Sequence, residues 1–286
     1  MKKDLPRGSC VAVLDFAENY AHEPRYEHQS KYFCQTQSTI LPVVLRFRIE
    51  DVASSPSFTE ERRKELLDFC AAEGIPPVIT ETHYVVSNDM QHDNAFVQKA
   101  LDDMITPHIQ QVAPSVKELY LRSDGCKAQF KCAENFDWVS RQSKEGCGLV
   151  IHWSFFESCH GKCDCDPEGG TLKNAARNQE MRSQEHVMKD TEAFYLWAST
   201  SSGLQTPLKS FEHKNGRGIF RRFFHYIPVK GPGSKELGAD FRIFLGYGDP
   251  KSRFMEISPN TLAMVLVLAC MLSDTLIAPS YSFLQH

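Results

Sequence analysis

Residues 10–16, CVAVLDF, are the stretch of sequence that decides the fold. The run is apolar and rich in β-branched residues, and it ends in an acid, Asp15, followed by Phe16. An apolar run without polar alternation predicts a strand that is buried on both faces. Asp15 is then expected at the end of that strand.

Strand and helix patterns alternate after this first strand. Residues 32–49 are rich in β-formers, and Pro42 predicts a break or an edge position between two shorter strands there. Apolar residues spaced three and four apart predict helices further along, with shorter apolar runs between them as strands. The helices are expected over residues 60–73, 94–112, 128–142 and 171–192, and the strands over 78–87, 117–122 and 149–156.

The order of these elements indicates an α/β fold with a mixed sheet. A helix between successive strands implies parallel pairing through right-handed crossovers, and apolar strands imply helices on both faces. An antiparallel three-stranded opening followed by alternating helices and strands matches the ribonuclease H-like fold. The predicted core spans residues 10–198, and the change of composition at residue 199 predicts a short, irregular C-terminal extension over 199–286.

Composition and charge exclude some classes of protein. Of the 286 residues, 42% are hydrophobic and 11% aromatic, so the chain can bury a substantial core and is not a disordered protein. The net charge of −4 gives no general attraction to nucleic acid, so any such surface must be local. Ten cysteines and a polar start without a signal peptide predict reduced thiols in the nucleus or cytoplasm. The longest apolar run, 261–272, is too short to cross a membrane.

Three aspartates are placed where a catalytic metal centre would need them. Asp15 and Asp124 end two predicted strands, and Asp166 lies just past the last strand, at the entrance to a helix. The carboxyl ends of adjacent central strands lie side by side in an α/β sheet, so these carboxylates are expected to converge. Two Mg²⁺ or Mn²⁺ ions would neutralise them and bind the attacking and leaving oxygens of a phosphoryl transfer. One such aspartate alone is more often a turn or cap residue.

Short motifs around these acids resemble a family of eukaryotic DDE-type transposases that is distantly related to Mutator-like elements. In chain order the motifs are DFAENY from Asp15, SDG from Ser123 with QFK from Gln129, WSFF from Trp153, and HGK from His160 leading to Asp166 and Gly169-Gly170. Weaker matches are QTQ from Gln35 and the pair His92-Asp93, and the resemblance spans about residues 10–200. It implies two-metal phosphodiester hydrolysis and strand transfer on DNA, with Asp15, Asp124 and Asp166 as the catalytic metal ligands.

Residues beside the three acids are expected to support the site. The resemblance makes Asp166 the third ligand, whereas the residues alone leave Asp164 and Glu168 as rivals within two positions of it. Gly169-Gly170 would either let a nucleic-acid backbone approach closely or only shape the loop. Imidazole and ammonium groups donate hydrogen bonds to phosphate. The predicted supporting or phosphate-binding residues are Glu18, Asn19, Gln129, His160 and Lys162.

The sequence departs from the family pattern in three places. Cys163, Asp164 and Cys165 fill a segment that is normally poorer in cysteine. The first strand begins close to the start of the chain, which predicts that no DNA-binding module precedes it, and the region after about residue 235 differs from the expected continuation. The last two departures predict a truncated or decayed copy. A zinc site over residues 159–165 is conceivable, but the spacing is not a pair of matched CxxC motifs, so zinc is not favoured.

A basic and aromatic stretch over residues 209–230 admits two interpretations. It would grip DNA by charge and stacking, or it is an amphipathic strand pair whose phenylalanines belong to the core and whose cations face solvent. The cations predicted to bind nucleic acid are Lys214, Arg217, Arg221 and Arg222.

Three functions are therefore open. The favoured one is a transposase-derived nuclease that uses two Mg²⁺ or Mn²⁺ ions. The second is an inactive, transposon-derived protein that binds nucleic acid or a protein partner, and the third is a cysteine-rich, zinc-binding interaction module. DNA is the expected partner, no membrane association is expected, and homo-oligomerisation is left open.

Overall fold

A computed structural model of the chain describes residues 5–22, 36–145, 148–156, 163–183, 187–201, 204, 209–213 and 216–228. The strands are β1 Ser9–Leu14, β2 Ala17–Ala21, β3 Gln37–Arg48, β4 Val78–Ser87, β5 Glu118–Ser123, β6 Val150–Phe155, β7 Lys209–His213 and β8 Gly216–Ile227. The α-helices are α1 Glu60–Glu73, α2 Asn94–Ala100, α3 Thr106–Val112, α4 Ala133–Glu145, α5 Cys165–Arg182 and α6 Thr191–Leu196. Across the described ranges, no helix combines the length and apolar character that a membrane crossing requires.

Local sequence signals explain where the best-predicted helix begins and ends. The Thr59 side chain accepts a hydrogen bond from the Arg62 N–H at the start of α1, which satisfies a backbone donor that the helix leaves unpaired. Gly74 ends the helix with a φ of 63°, a left-handed conformation that costs glycine little. The predicted helix over residues 60–73 is therefore confirmed at both ends.

The strands form one mixed sheet, and the prediction of an α/β fold with a mixed sheet is confirmed. The order across the sheet is β6-β5-β1-β3-β4-β8-β7, and β2 pairs with β3 alongside β1. The first three long strands, β1, β3 and β4, pair antiparallel, whereas β5 runs parallel to β1 and β6 parallel to β5. On the other side β8 runs parallel to β4, and β7 pairs antiparallel with β8.

Two hydrophobic cores lie on the two faces of the sheet. Helices α1 to α4 pack into the larger core, and α5 and α6 pack into the second core, on the other face of β4. Along β4 the larger core alternates with the second one, as the pleat of a strand requires. Along β1 it alternates with a smaller third cluster that includes Val11, Val13 and Cys165. The largest fully buried side chains of the larger core include Phe47, Phe96, Phe130 and Trp138. The second core includes Tyr20, Ile40, Tyr84, Leu172, Phe194 and Phe224.

Pro42 lies within β3, which runs unbroken through the centre of the sheet, so the prediction of two shorter strands is wrong. The pairing is interrupted instead on the neighbouring segment, between β1 and β2. Leu14 pairs with Val43 and Ala17 pairs with Ile40, so the same register continues across the gap between β1 and β2. Asp15 falls in this gap, at the position that the register places opposite Pro42. A proline has no backbone N–H to donate, and its position coincides with the missing rungs of the ladder.

Two predicted boundaries are corrected by the structure. Helix α5 begins at Cys165 rather than at residue 171, so Gly169 and Gly170 lie inside the helix instead of before it. Strand β8 pairs with β4 over nine consecutive residue pairs. The core therefore continues past residue 198 to Ile227, and β7 and β8 are part of the sheet rather than an irregular extension.

Candidate metal centre

Asp15 and Asp124 follow the ends of two adjacent parallel strands. In the register of β1 and β5, Val13 pairs with Arg122, so two residues further along Asp15 is level with Asp124. Side chains alternate between the faces of a sheet, and both aspartates are therefore on the same face. The Asp124 carboxylate is held by the Cys126 backbone N–H, which donates to it over 3.0 Å. The two aspartates thus lie level with each other at the carboxyl ends of neighbouring central strands.

Helix α5 brings Asp166 to the same place in its first turn. Gly169 lets the helix lie close to the sheet, because a Cβ atom there would be 2.9 Å from the Cβ of Ala17. The buried Cys165 thiol contacts the carbonyl oxygens of Val13 and Pro42, at 3.3 and 3.4 Å. The start of α5 is therefore anchored at the interruption between β1 and β2, and Gly169 serves helix packing rather than approach of a nucleic-acid backbone.

The surroundings of Asp15 perturb its carboxylate. Burial, followed by the negative charge of Asp124, raises the pKa of Asp15 to about 6, and the charge of Asp166 adds to the increase. The Cys163 thiol donates to an Asp15 carboxylate oxygen over 3.5 Å and partly offsets this effect. One oxygen each from Asp15 and Asp166 and the Cys163 sulfur all lie within 4.8 Å of one another. Such a cluster favours a bound cation.

The rivals of Asp166 are occupied elsewhere. Asp164 forms an ion pair with Arg46, with 2.8 Å between the nitrogen and the oxygen. Glu168 pairs with Arg222 at 3.0 Å and also accepts a hydrogen bond of 2.6 Å from the Tyr84 hydroxyl. Among the three acids that the sequence left open, Asp166 is the one whose carboxylate lies beside Asp15.

The predicted supporting residues differ in their positions. The Glu18 side chain is 86% exposed and pairs with Lys173 at 3.2 Å on α5. Asn19 donates to Gln37 over 3.2 Å, and its other amide atom lies 3.0 Å from His92. Gln129 lies in the turn after β5, where its backbone N–H donates to the Cys126 carbonyl. Predicted residues His160 and Lys162 lie outside the described part of the chain.

His92 is an additional residue that the sequence did not single out for the site. Its ring stacks on Phe16, the residue after the first aspartate, with 4.5 Å between ring centroids and 5° between planes. Its Nε2 atom lies 3.0 Å from both the Thr39 hydroxyl and the Asn19 amide oxygen. The His92–Asn19 contact holds β2 against the loop after β4. The only signal in the sequence was the pair His92-Asp93, a weak motif of the resemblance.

The predicted nucleic-acid-binding arginines are engaged inside the fold. The side chain of Arg221 pairs with Glu81, which is fully buried, and Arg222 pairs with Glu168. Each arginine side chain is only 17% exposed. Their guanidinium groups are engaged within the fold, with the buried Glu81 and the partly buried Glu168, and this arrangement does not favour the predicted phosphate contacts. Arg217 lies on β8, and Lys214 lies outside the described residues.

A small cavity lies on the same face of the sheet as the carboxylates. Its volume is about 90 Å³. Val13 and Arg122, each two residues before one of the aspartates, line it together with the Arg46–Asp164 ion pair. The cavity therefore places the Arg122 side chain close to the carboxylates.

Comparison with known proteins gives one family. The chain matches the model of a family described as Domain of unknown function (DUF8701) over residues 1–59 and 75–212. These residues include all three aspartates and most of the sheet. No curated protein and no solved structure matches the chain significantly. Because the family model covers more than half of the sequence, the chain belongs to the DUF8701 family.

Proposed function

We propose that the chain is a ribonuclease H-like, DDE-type nuclease of transposase origin that cleaves and joins DNA. The observation that carries this proposal is the meeting of Asp15, Asp124 and Asp166, whose sequence positions are far apart, at one end of β1 and β5. The strand order supports it as well. Strands β4-β3-β1-β5-β6 have three antiparallel members followed by two parallel ones, which is the arrangement that the ribonuclease H-like prediction requires.

The donor set suits divalent metal ions. Carboxylate oxygens are the preferred ligands of Mg²⁺ and Mn²⁺, and Asp15 is central because it is close to both other acids. The Cys163 sulfur beside Asp15 adds a softer donor, which favours Mn²⁺ over Mg²⁺. When bound, two ions supply Lewis-acid stabilisation and an activated water for in-line displacement at phosphorus.

The residues of the chain hold and orient the centre. Asp124 is fixed by the Cys126 N–H, and Asp166 is fixed because α5 lies against β2 at Gly169. The raised pKa of Asp15 means that protons compete with metal ions for this carboxylate near pH 6. Arg122, in the cavity beside the aspartates, is our candidate for a DNA phosphate contact.

Metal-dependent DNA cleavage tests the proposal. The full chain is expected to nick or cut duplex DNA with Mg²⁺ or Mn²⁺ and not with Ca²⁺ alone, and Asp124→Asn is expected to abolish the activity. Asp68→Asn, an exposed acid on α1, is the matched control and should cleave like the wild type. Circular dichroism verifies that each variant is folded. Unchanged cleavage by Asp124→Asn would remove this residue from the mechanism, and a folded wild type that binds DNA without cleaving it would favour the inactive alternative.

A further inference from the structure

A second group of metal-ligating side chains lies on the opposite face of the sheet from the aspartates. Glu81 and His83 are alternate residues of β4 and pair with Leu45 and Val43, whose side chains belong to the larger core. Both are fully buried, whereas the side chain of His108, contributed by α3, is 13% exposed. The group joins residues of two elements, so it is not a local turn or a cap.

The contacts within this group are close. Glu81 Oε2 lies 2.6 Å from His108 Nε2 and 3.4 Å from His83 Nε2. The other ring nitrogen of His83, Nδ1, lies 2.9 Å from His225 Nε2 on β8. The second Glu81 oxygen, Oε1, pairs with Arg221. Each group therefore has a defined neighbour, and three ligand atoms lie within 4.8 Å of one another.

The chemistry of the group is that of a transition-metal site. Burial lowers the pKa of His83 to about 4 and that of His225 to about 3, so both rings are neutral at pH 7. Burial opposes ionisation of Glu81, but hydrogen bonds from His108 and His83 and the charge of Arg221 hold its pKa below the ordinary value. Neutral imidazoles and one carboxylate are ligands that suit Zn²⁺, Co²⁺ and similar ions, whereas Mg²⁺ prefers oxygen ligands alone.

The distances also suit such an ion. Ligand atoms around a tetrahedral ion with bonds of about 2.0–2.1 Å lie roughly 3.3–3.5 Å apart. The Glu81–His83 separation of 3.4 Å already has this value. The Glu81–His108 separation of 2.6 Å requires His108 to withdraw by less than about 1 Å, as expected when an ion replaces the proton between them. His108 is the least buried of the three side chains and has the most room to do so.

We propose that Glu81, His83 and His108 bind one divalent transition-metal ion of the zinc class, and that His225 orients His83 through its second ring nitrogen. A ligating histidine usually gives its other N–H to a nearby acceptor, and His225 is in the position to accept it. The ion would join β4 to α3, and the contacts of His225 and Arg221 would couple it to β8. This inference does not depend on the proposed nuclease activity, because the two sites share no residue.

Titration of the EDTA-treated full chain with Co²⁺ tests the proposal. The protein should bind one Co²⁺ with visible bands typical of four or five ligands, and without a sulfur-to-cobalt charge-transfer band. The background is Asp15→Asn with Cys163→Ser, so that the carboxylate centre does not contribute. His108→Ala should abolish this binding, and His225→Ala should weaken it by about 10–100-fold. His152→Ala, which removes an exposed histidine on β6, is the matched control and should bind like the background protein.

Two results would overturn the proposal: no Co²⁺ bound at this stoichiometry in the background protein, or equal binding after His108→Ala. The first result would mean that the group is a hydrogen-bonded network without metal. If His108→Ala proves unfolded by circular dichroism, His108→Gln replaces it, because the glutamine amide can still donate to Glu81 but does not supply an imidazole ligand. Retained binding in folded His108→Gln would equally contradict the assignment of His108.

Discussion

The negative charges of Asp15, Asp124 and Asp166 should destabilise the metal-free protein, and Asp15→Asn should therefore increase its free energy of unfolding. The pKa of Asp15 is about 6, against an ordinary value of 3.8. At about 1.4 kcal/mol per pH unit, ionising a fully buried group of this kind would cost ~3 kcal/mol. Asp15 is only half-buried, and solvent screening reduces the expected gain from Asp15→Asn to about 1 kcal/mol. For a domain of this size the melting temperature should rise by roughly 2–4 °C.

Thermal unfolding in EDTA at pH 7.5, followed by circular dichroism, measures this gain. Because the pKa is raised in the folded state, the stability that protonated Asp15 contributes is present below pH 3.8 and is lost as the pH rises through about 6. The difference between Asp15→Asn and wild type should therefore disappear near pH 4. Saturating Mn²⁺ should reverse the order, because an ion that binds only the folded wild type stabilises it.

The control for this experiment is Asp68→Asn, which removes the same charge from an exposed position on α1. Its melting temperature should change by less than that of Asp15→Asn. An Asp15→Asn variant that is no more stable than Asp68→Asn at pH 7.5 would refute the reasoning, since the crowding of the carboxylates would then carry no energetic cost.

Four further changes test other parts of the structure. Gly169→Ala, whose Cβ would lie 2.9 Å from a side chain of β2, should lower the free energy of unfolding in urea by about 1–3 kcal/mol. Gly170→Ala, in open space on the same helix, should raise it by ~0.5–1 kcal/mol. Burial lowers the pKa of both His225 and His83, so the stability that their neutral rings contribute is lost as the pH falls below 6.5. His225→Ala should therefore make the unfolding midpoint depend less steeply on pH in this range. Arg222→Ala should lower the melting temperature without changing the salt dependence of DNA binding, because its guanidinium is paired inside the fold; a salt slope flatter by about 1 would show a phosphate contact instead.

The sequence predicted the parts of the fold that depend on periodicity. The apolar run of β1 and the capped pattern of α1 require only local information, and the structure agrees with both. Asp15 and Asp124 lie at equivalent positions because their strands are adjacent and parallel. The alternation of helices and strands in the sequence implied this parallel pairing.

The features that sequence reasoning missed depend on what packs against each residue. Two consecutive glycines normally indicate a loop, but at Gly169 the glycine is needed because a helix lies against Ala17. The alternation of arginine and phenylalanine along β8 indicated either DNA contacts or a strand pair with solvated cations. The structure has the strand pair, but Arg221 and Arg222 pair with Glu81 and Glu168, which are far away in the sequence. An ion pair between residues 81 and 221 leaves no periodic pattern in the sequence from which it could be predicted.

The ion pairs of β8 also have a consequence for how the protein is made. A nascent chain emerges from the ribosome with its N-terminus first, so β4 and α5 emerge well before β8. Until then Glu81 and Glu168 have no access to Arg221 and Arg222, and burying the Glu81 carboxylate without its cation would cost several kcal/mol. A nascent chain that has reached only residue 198 therefore holds all three aspartates but lacks the cations that pair with Glu81 and Glu168. Completion of the described sheet waits for β8 to be translated.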